Sequence, residues 1–353
     1  MGPVRSSLVA LCVMIMTATL ASRAWAGRND LQLLNLCPLT PSSLPSKTPE
    51  CSWVHRQADG SITSAVMPDG QGREDFRSLM SELGVVLAPR IPMVADTAGF
   101  GGFQLSGELG VTGISNNRRF WNGVEAVSAT NPNATRPDPM LTTVGAFVRK
   151  GFWLPVPTVE LGFGVVHLLD SQLLAWQSYA KIGIHEGFHD WPIPSFAVRG
   201  AVSHLTGTDQ VTMTTNSLDL LISKRFGLLK TARLEPFGGW SVLSIFAHSG
   251  ILDATPSCDA TTAPLGSDPG TPYCPSTPTG KSSDFNANFR FPGQNVITRY
   301  RLFVGFKVKF AIAFFAAQYE AYLAGSTRDG STFSARDQSG TQSALSLSTG
   351  LDF

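Results

Sequence analysis

Three adjacent pairs in this 353-residue chain have side chains able to pass a proton to or from a nucleophile: Ser203-His204, His248-Ser249 and His189-Asp190. A base activates a hydroxyl only within hydrogen-bond reach, and neighbours on an extended strand point to opposite faces. Both serine–histidine pairs fall in period-2 stretches, so they share a proton only at a bulge. No catalytic residue is therefore assigned, and the chain is not expected to be an enzyme. His167, His204 and His248 lie near strand ends of one polarity, where they read as interfacial polar residues, and no metal or cofactor is expected. Gly99-Phe100-Gly101-Gly102 is too short to match a phosphate-cradling loop.

The cysteines suggest an oxidising destination. Residues 1–26 carry Arg5, an apolar run over 8–20 and the small-x-small site Ala24-Trp25-Ala26, which reads as a secretory signal peptide cleaved before Gly27. Four cysteines then remain in two local pairs within Pro/Ser/Thr-rich stretches, and Cys37–Cys51 and Cys258–Cys274 disulfides are expected. Each would close a loop of about 15 residues, worth roughly 3 kcal/mol on the chain-entropy model. Metal binding is the alternative, but neither a CxxC spacing nor a nearby histidine pair supports it.

The elements that would carry these residues follow from periodicity. Residues 27–72 are rich in turn formers, whereas Phe76, Leu79, Met80, Leu83, Val86 and Leu87 recur at helical spacing. This predicts a short helix over 74–87 that becomes extended at Val85-Val86-Leu87-Ala88. From residue 100 onward the period is two. Phe103, Leu105, Leu109 and Val111 alternate with Gln104, Ser106, Glu108, Gly110 and Thr112, and nine further stretches behave alike up to residue 353. Ten strands of about 10 to 18 residues result, each long enough to cross a ~25 Å apolar band when tilted. Twelve would result if residues 62–67 and 85–88 joined the sheet. Long polar connections (115–139, 249–291 and 325–340) alternate with short turns at Pro155, Pro192, Leu228 and Val308.

Charge points the same way. With Arg5 and Arg23 lost in the leader, 25 of the 27 basic side chains remain against 26 acidic ones, a net of −1 that gives no basis for nucleic-acid binding. No stretch after the leader approaches the ~20 apolar residues of a spanning helix, so any embedding in a membrane must use strands. With the apolar stripes facing outward, the inward set comprises Glu108, Glu160, Lys181, Arg199, Asp219, Glu235, Arg299, Arg301, Glu320 and Asp352. Acids and bases are interleaved, and inside a bore only ten strands wide they can pair and fill it. Trp121, Trp153, Trp176, Trp191 and Trp240 read as an interfacial girdle or as packing residues.

The last twelve residues, QSALSLSTGLDF, form an amphipathic strand ending on Phe353. This resembles the final strand of bacterial outer-membrane β-barrel proteins, at the level of pattern over 100–353 and the leader. The resemblance implies an all-β transmembrane antiparallel barrel, with Phe353 in the signal read by the barrel-assembly machinery. It also implies outer-membrane lipids as surroundings, a periplasmic C-terminus, long loops outside the cell and short turns inside. Residues 27–99 would form a periplasmic or plug segment and 100–353 the barrel. Outer-membrane proteases resembling a ten-stranded barrel use acidic and Asp/His pairs at the extracellular rim, whereas His189-Asp190 falls at the other end. Barrel phospholipases and deacylases use a His-x-Ser motif, and here no residue intervenes. Three functions follow: a narrow channel for a small polar or amphipathic solute, a non-conducting barrel anchoring an envelope assembly, or a lipid hydrolase.

Overall fold

The computed structural model describes residues 27–36, 65–66, 71–90, 92–126, 136–152, 158–187, 193–228, 232–253, 288–291, 293–325 and 335–353. The leader, the four cysteines, His189, Asp190, Trp153, Trp191, Pro155 and Pro192 lie outside the described residues.

Ten strands make one closed antiparallel ring: β1 Phe103–Gly113, β2 Met140–Phe152, β3 Val159–Leu168, β4 Leu174–His185, β5 Ser195–Thr206, β6 Val211–Ser223, β7 Ala232–Ser249, β8 Ile297–Phe310, β9 Ala313–Tyr322 and β10 Gln342–Asp352. Each strand pairs with its neighbours in sequence, and β10 returns to β1, with Ala344 opposite Thr112 and Asp352 opposite Gln104. An even count lets this last pair be antiparallel like the rest. Closure leaves the ring no free edge.

The alternation places Leu105, Leu109, Phe163, Trp176, Ile182, Leu218, Leu220, Leu302, Val304, Tyr319 and Leu345 on the exterior, all exposed. That continuous apolar wall far exceeds the patches of a soluble monomer. Small residues indent it: a concavity of about 760 Å³ lies over Ala180 and Gly200, between Phe152, Leu161 and Phe163.

The two ends of the ring differ. Three long connections and the short ones at 169–173 and 207–210 form a loop end, and the remaining four connections form a turn end. The tightest, Ala311-Ile312, lies beyond the turn expected at Val308, because Val308 and Phe310 continue the ladder opposite Leu234 and Ala232. Ala311 turns the chain at φ 52°, with no glycine or asparagine to mark the site.

The barrel does not extend to twelve strands. Ala65–Val66 pairs in parallel with Asn288–Arg290, which in turn pairs with Leu252–Asp253, in a separate small sheet. Val85 and Val86 stay helical, as the last residues of α1, Gln71–Val86. No helix among the described residues is long and apolar enough to cross a membrane.

Candidate functional site: the filled bore

Helix α1 sits in the loop mouth and is buried on every face from Gly72 onward, Glu74 on the first turn being the one partly exposed residue. Its apolar stripe of Phe76, Leu79, Met80, Leu83 and Val86 packs into a core with Phe120, Trp121, Leu141, Leu168, Ile245, Ile297 and Phe291. Phe76 stacks on Phe291 with ring centroids 4.7 Å apart. The opposite face is polar but meets the bore wall and the loops instead of water. Ser81 Oγ donates to Asp337 Oδ2 at 2.7 Å, and Arg299 reaches Ser81 at 2.9 Å. Glu82 accepts from Ser115 N at 2.9 Å and from the Trp121 indole at 2.7 Å. Trp121 is thus an interior packing residue that anchors a loop to α1, and it does not join an interfacial girdle. Trp176 and Trp240 do lie on the outer wall, stacked on Phe163 and Tyr300.

Beyond α1 the chain runs down the bore without regular secondary structure, and peptide groups of its described residues are held by inward side chains of one strand after another. Ser203 and Gln177 donate to Leu87 O, Arg301 Nη1 donates to Pro89 O at 2.9 Å, and Gln318 donates to Arg90 O at 3.1 Å. Lower down, Lys181 Nζ donates to Val94 O and Asp96 O, Ala95 N donates to Ser223, and Ala98 N donates to Glu160 Oε2 at 2.7 Å. A segment with no secondary-structure partner of its own thereby finds partners within the barrel for many of its peptide groups. Around Met93, Val94 and Ala95 the wall becomes apolar, with Phe147, Tyr179, Phe237 and Phe303 closing on them. Two of these rings lie over inward glycines of the neighbouring strand: a Cβ on Gly162 would meet Tyr179 at 2.1 Å, and one on Gly164 would meet Phe147 at 2.2 Å. The segment leaves the bore at the turn end, where Gly99 (φ 71°) and Gly101 (φ 77°) reverse it into β1.

Of the charged side chains expected in the bore, Glu160, Lys181, Arg199, Asp219, Glu235, Arg299, Arg301 and Glu320 are buried, and most of them meet. Asp219 bridges two arginines, accepting from Arg199 Nε at 2.6 Å and Arg301 Nη2 at 2.7 Å, while Arg301 also lies 3.7 Å from Glu320. Glu160 lies 3.2 Å from Lys181 and 3.7 Å from Arg149, and accepts from the Tyr179 hydroxyl at 2.8 Å. Asp352 pairs with Lys307 at 2.6 Å and Lys309 at 3.0 Å at the turn end. Glu235 pairs with Arg225, which also holds Asp96 of the threaded segment. Glu108 stands apart, facing a cavity of about 20 Å³ beside Arg90, Thr143, Gln177 and Ser346. Arg149 and Lys307 belong to the bore but were not in the expected set. Lys150 beside Arg149 puts a base on both faces of β2, which masks the phase.

The pairs with nucleophilic chemistry are split by the wall. Ser203 is buried inside against Leu87, whereas His204 is exposed outside and bonds Thr214 Oγ1 at 2.9 Å. His248 is likewise exposed on the outer wall, and Ser249 Oγ donates to Gly250 O. Among the described residues, no cluster of three or more His, Cys, Asp or Glu side chains is placed to hold a metal ion.

No family model matches the chain. No curated protein matches it. Solved structures similar in fold include Ail, the attachment invasion locus protein of Yersinia pestis, at 10% identity, covering 72% of this chain and 99% of that one with a TM-score of 0.24. Others are the translocator domain of autotransporter NalP from Neisseria meningitidis (11% identity, 73% and 89% covered, TM-score 0.31) and the outer membrane protease OmpT from Escherichia coli (7% identity, 72% and 94% covered, TM-score 0.27).

Proposed function

We propose that the chain is an integral barrel of the bacterial outer membrane, closed to solutes by its own N-terminal region, which anchors that region and the long loops at one face of the membrane. The observation that carries this reading is the hydrogen bonding of residues 87–98 to the inner wall, from Ser203 and Gln177 in the upper bore to Glu160 at the turn end. The apolar exterior supports a lipid surround, since a closed ring satisfies every strand's backbone without water. The wall behind the segment is polar and charged, which favours a second reading: displacement of the segment would open a narrow hydrophilic path.

Planar-bilayer recording tests both. The refolded full chain is expected to give no steady conductance. A variant lacking residues 27–98, used once heat-modifiable gel mobility shows it folded, is expected to conduct under both readings, whereas transient openings of the full chain at raised voltage are expected only if the segment can be displaced. Steady conductance of the full chain would overturn the anchor reading.

A further inference from the structure

We infer that the N-terminal end of the chain stands outside the cell, having reached that side through the bore of its own barrel. This rests on the outer-membrane reading and on the periplasmic placement of Phe353 proposed with it.

The argument is one of topology. Residues 27–36 are bound at the loop end by three separate connections. Asn29 N donates to Asp170 O at 2.9 Å, Leu31 pairs with Val124, and Gln210 donates to Leu31 O while accepting from Leu33 N at 2.8 Å. Leu31, Leu33 and Leu36 are buried there in the core built on α1, so this end is docked by apolar burial as well as by hydrogen bonds. Helix α1 enters the bore from the same end. The twelve residues 87–98 then lead to the turn end, and at ~3.3 Å each their contour of at most roughly 40 Å is enough to traverse a ~25 Å apolar band.

From Gly27 to Phe353 the described residues therefore cross the barrel's height eleven times: once inside the bore and ten times in its wall. An odd number puts these two ends on opposite sides. Phe353 lies at the turn end, paired with Phe103 through both backbone bonds, while Gly27 lies at the loop end. A chain delivered by a signal peptide arrives on the periplasmic side. With strands paired all round the ring, the bore is the one route by which its N-terminal region can come to lie at the other mouth. The seam between β1 and β10 closes around it.

Epitope tags in the full chain, expressed in a bacterium with an outer membrane, test this. One tag precedes Gly27, one interrupts the connection between β9 and β10, and one interrupts the turn between β6 and β7. Antibody is expected to stain the first two on intact cells and the third only after permeabilisation. Staining of the β9–β10 tag with loss of the N-terminal signal on intact cells would overturn the inference while leaving the membrane reading in place. Loss of the β9–β10 signal as well would overturn the membrane reading and the inference with it. The untagged chain gives a second measurement independent of tag effects. Protease added to intact cells is expected to shorten it from the N-terminal side, and a full-length chain after removal of other surface proteins would count against the inference.

Discussion

Asp219 shows what the bore asks of a single residue. Its carboxylate is fully buried and serves two guanidinium groups at once, with Ser217 donating at 3.2 Å. Neutralising it leaves Arg199 and Arg301 without their shared counter-charge in a place water does not reach. Asp219→Asn is therefore expected to destabilise the folded barrel by about 3–5 kcal/mol, read as a lower denaturant midpoint of unfolding. Glu108→Gln is expected to cost less, because Glu108 faces the small cavity and one of its buried oxygens has no donor. That these residues face inward is legible from strand alternation alone. Their partners are not, because Arg199, Asp219 and Arg301 come from β5, β6 and β8, and it is the strand register that sets Arg199 opposite Asp219 and Arg301 two strands beyond Asp219, across Ser241.

At the scale of elements, α1 has an amphipathic pattern that ordinarily marks a helix half in water, yet here its polar face meets a polar wall. The apolar spacing finds the helix. It does not find that the helix begins at Gln71 or that Val85 and Val86 remain in it, since β-branched residues beside Gly84 and Pro89 argue locally for extension. Tertiary packing decides otherwise: Val85 is buried among Ala88, Leu243, Tyr322 and Ala344. Gly84, which costs a helix roughly 0.5–1 kcal/mol relative to alanine, is there for proximity, because a Cβ would lie 2.6–2.9 Å from the Ile245 side chain. Gly84→Leu is expected to push α1 off β7, at about 1–3 kcal/mol. The measurement is denaturant unfolding together with limited proteolysis within 71–98, and adding Ile245→Ala is expected to recover part of the loss. Trp121 was equally opaque, because a tryptophan in a loop does not declare which side of the wall it occupies.

At the scale of the whole molecule, the number of strands and the polarity of their connections could be read from the sequence, whereas the path of the N-terminal region could not. Period-2 patterning repeats ten times and depends only on neighbours. The threading depends on contacts such as Arg301 with Pro89, more than two hundred residues apart, which no local pattern records. Phe353 belongs to this scale as well. Its ring lies 6.5 Å from that of Phe103 across the closing seam, and it is exposed. Phe353→Ser is expected to lower the amount of folded barrel reaching the outer membrane, scored by heat-modifiable mobility, while the folded fraction unfolds at close to the unaltered midpoint because Asp352 keeps its lysines. The glycine reversal at 99–102 gives this architecture a mechanical character. A pull on the chain at the loop end would pass down the threaded segment to that hairpin and load β1 at its first residues, so the ladders to β10 and β2 would give way one pair after another, starting at Asp352–Gln104 and Lys150–Phe103.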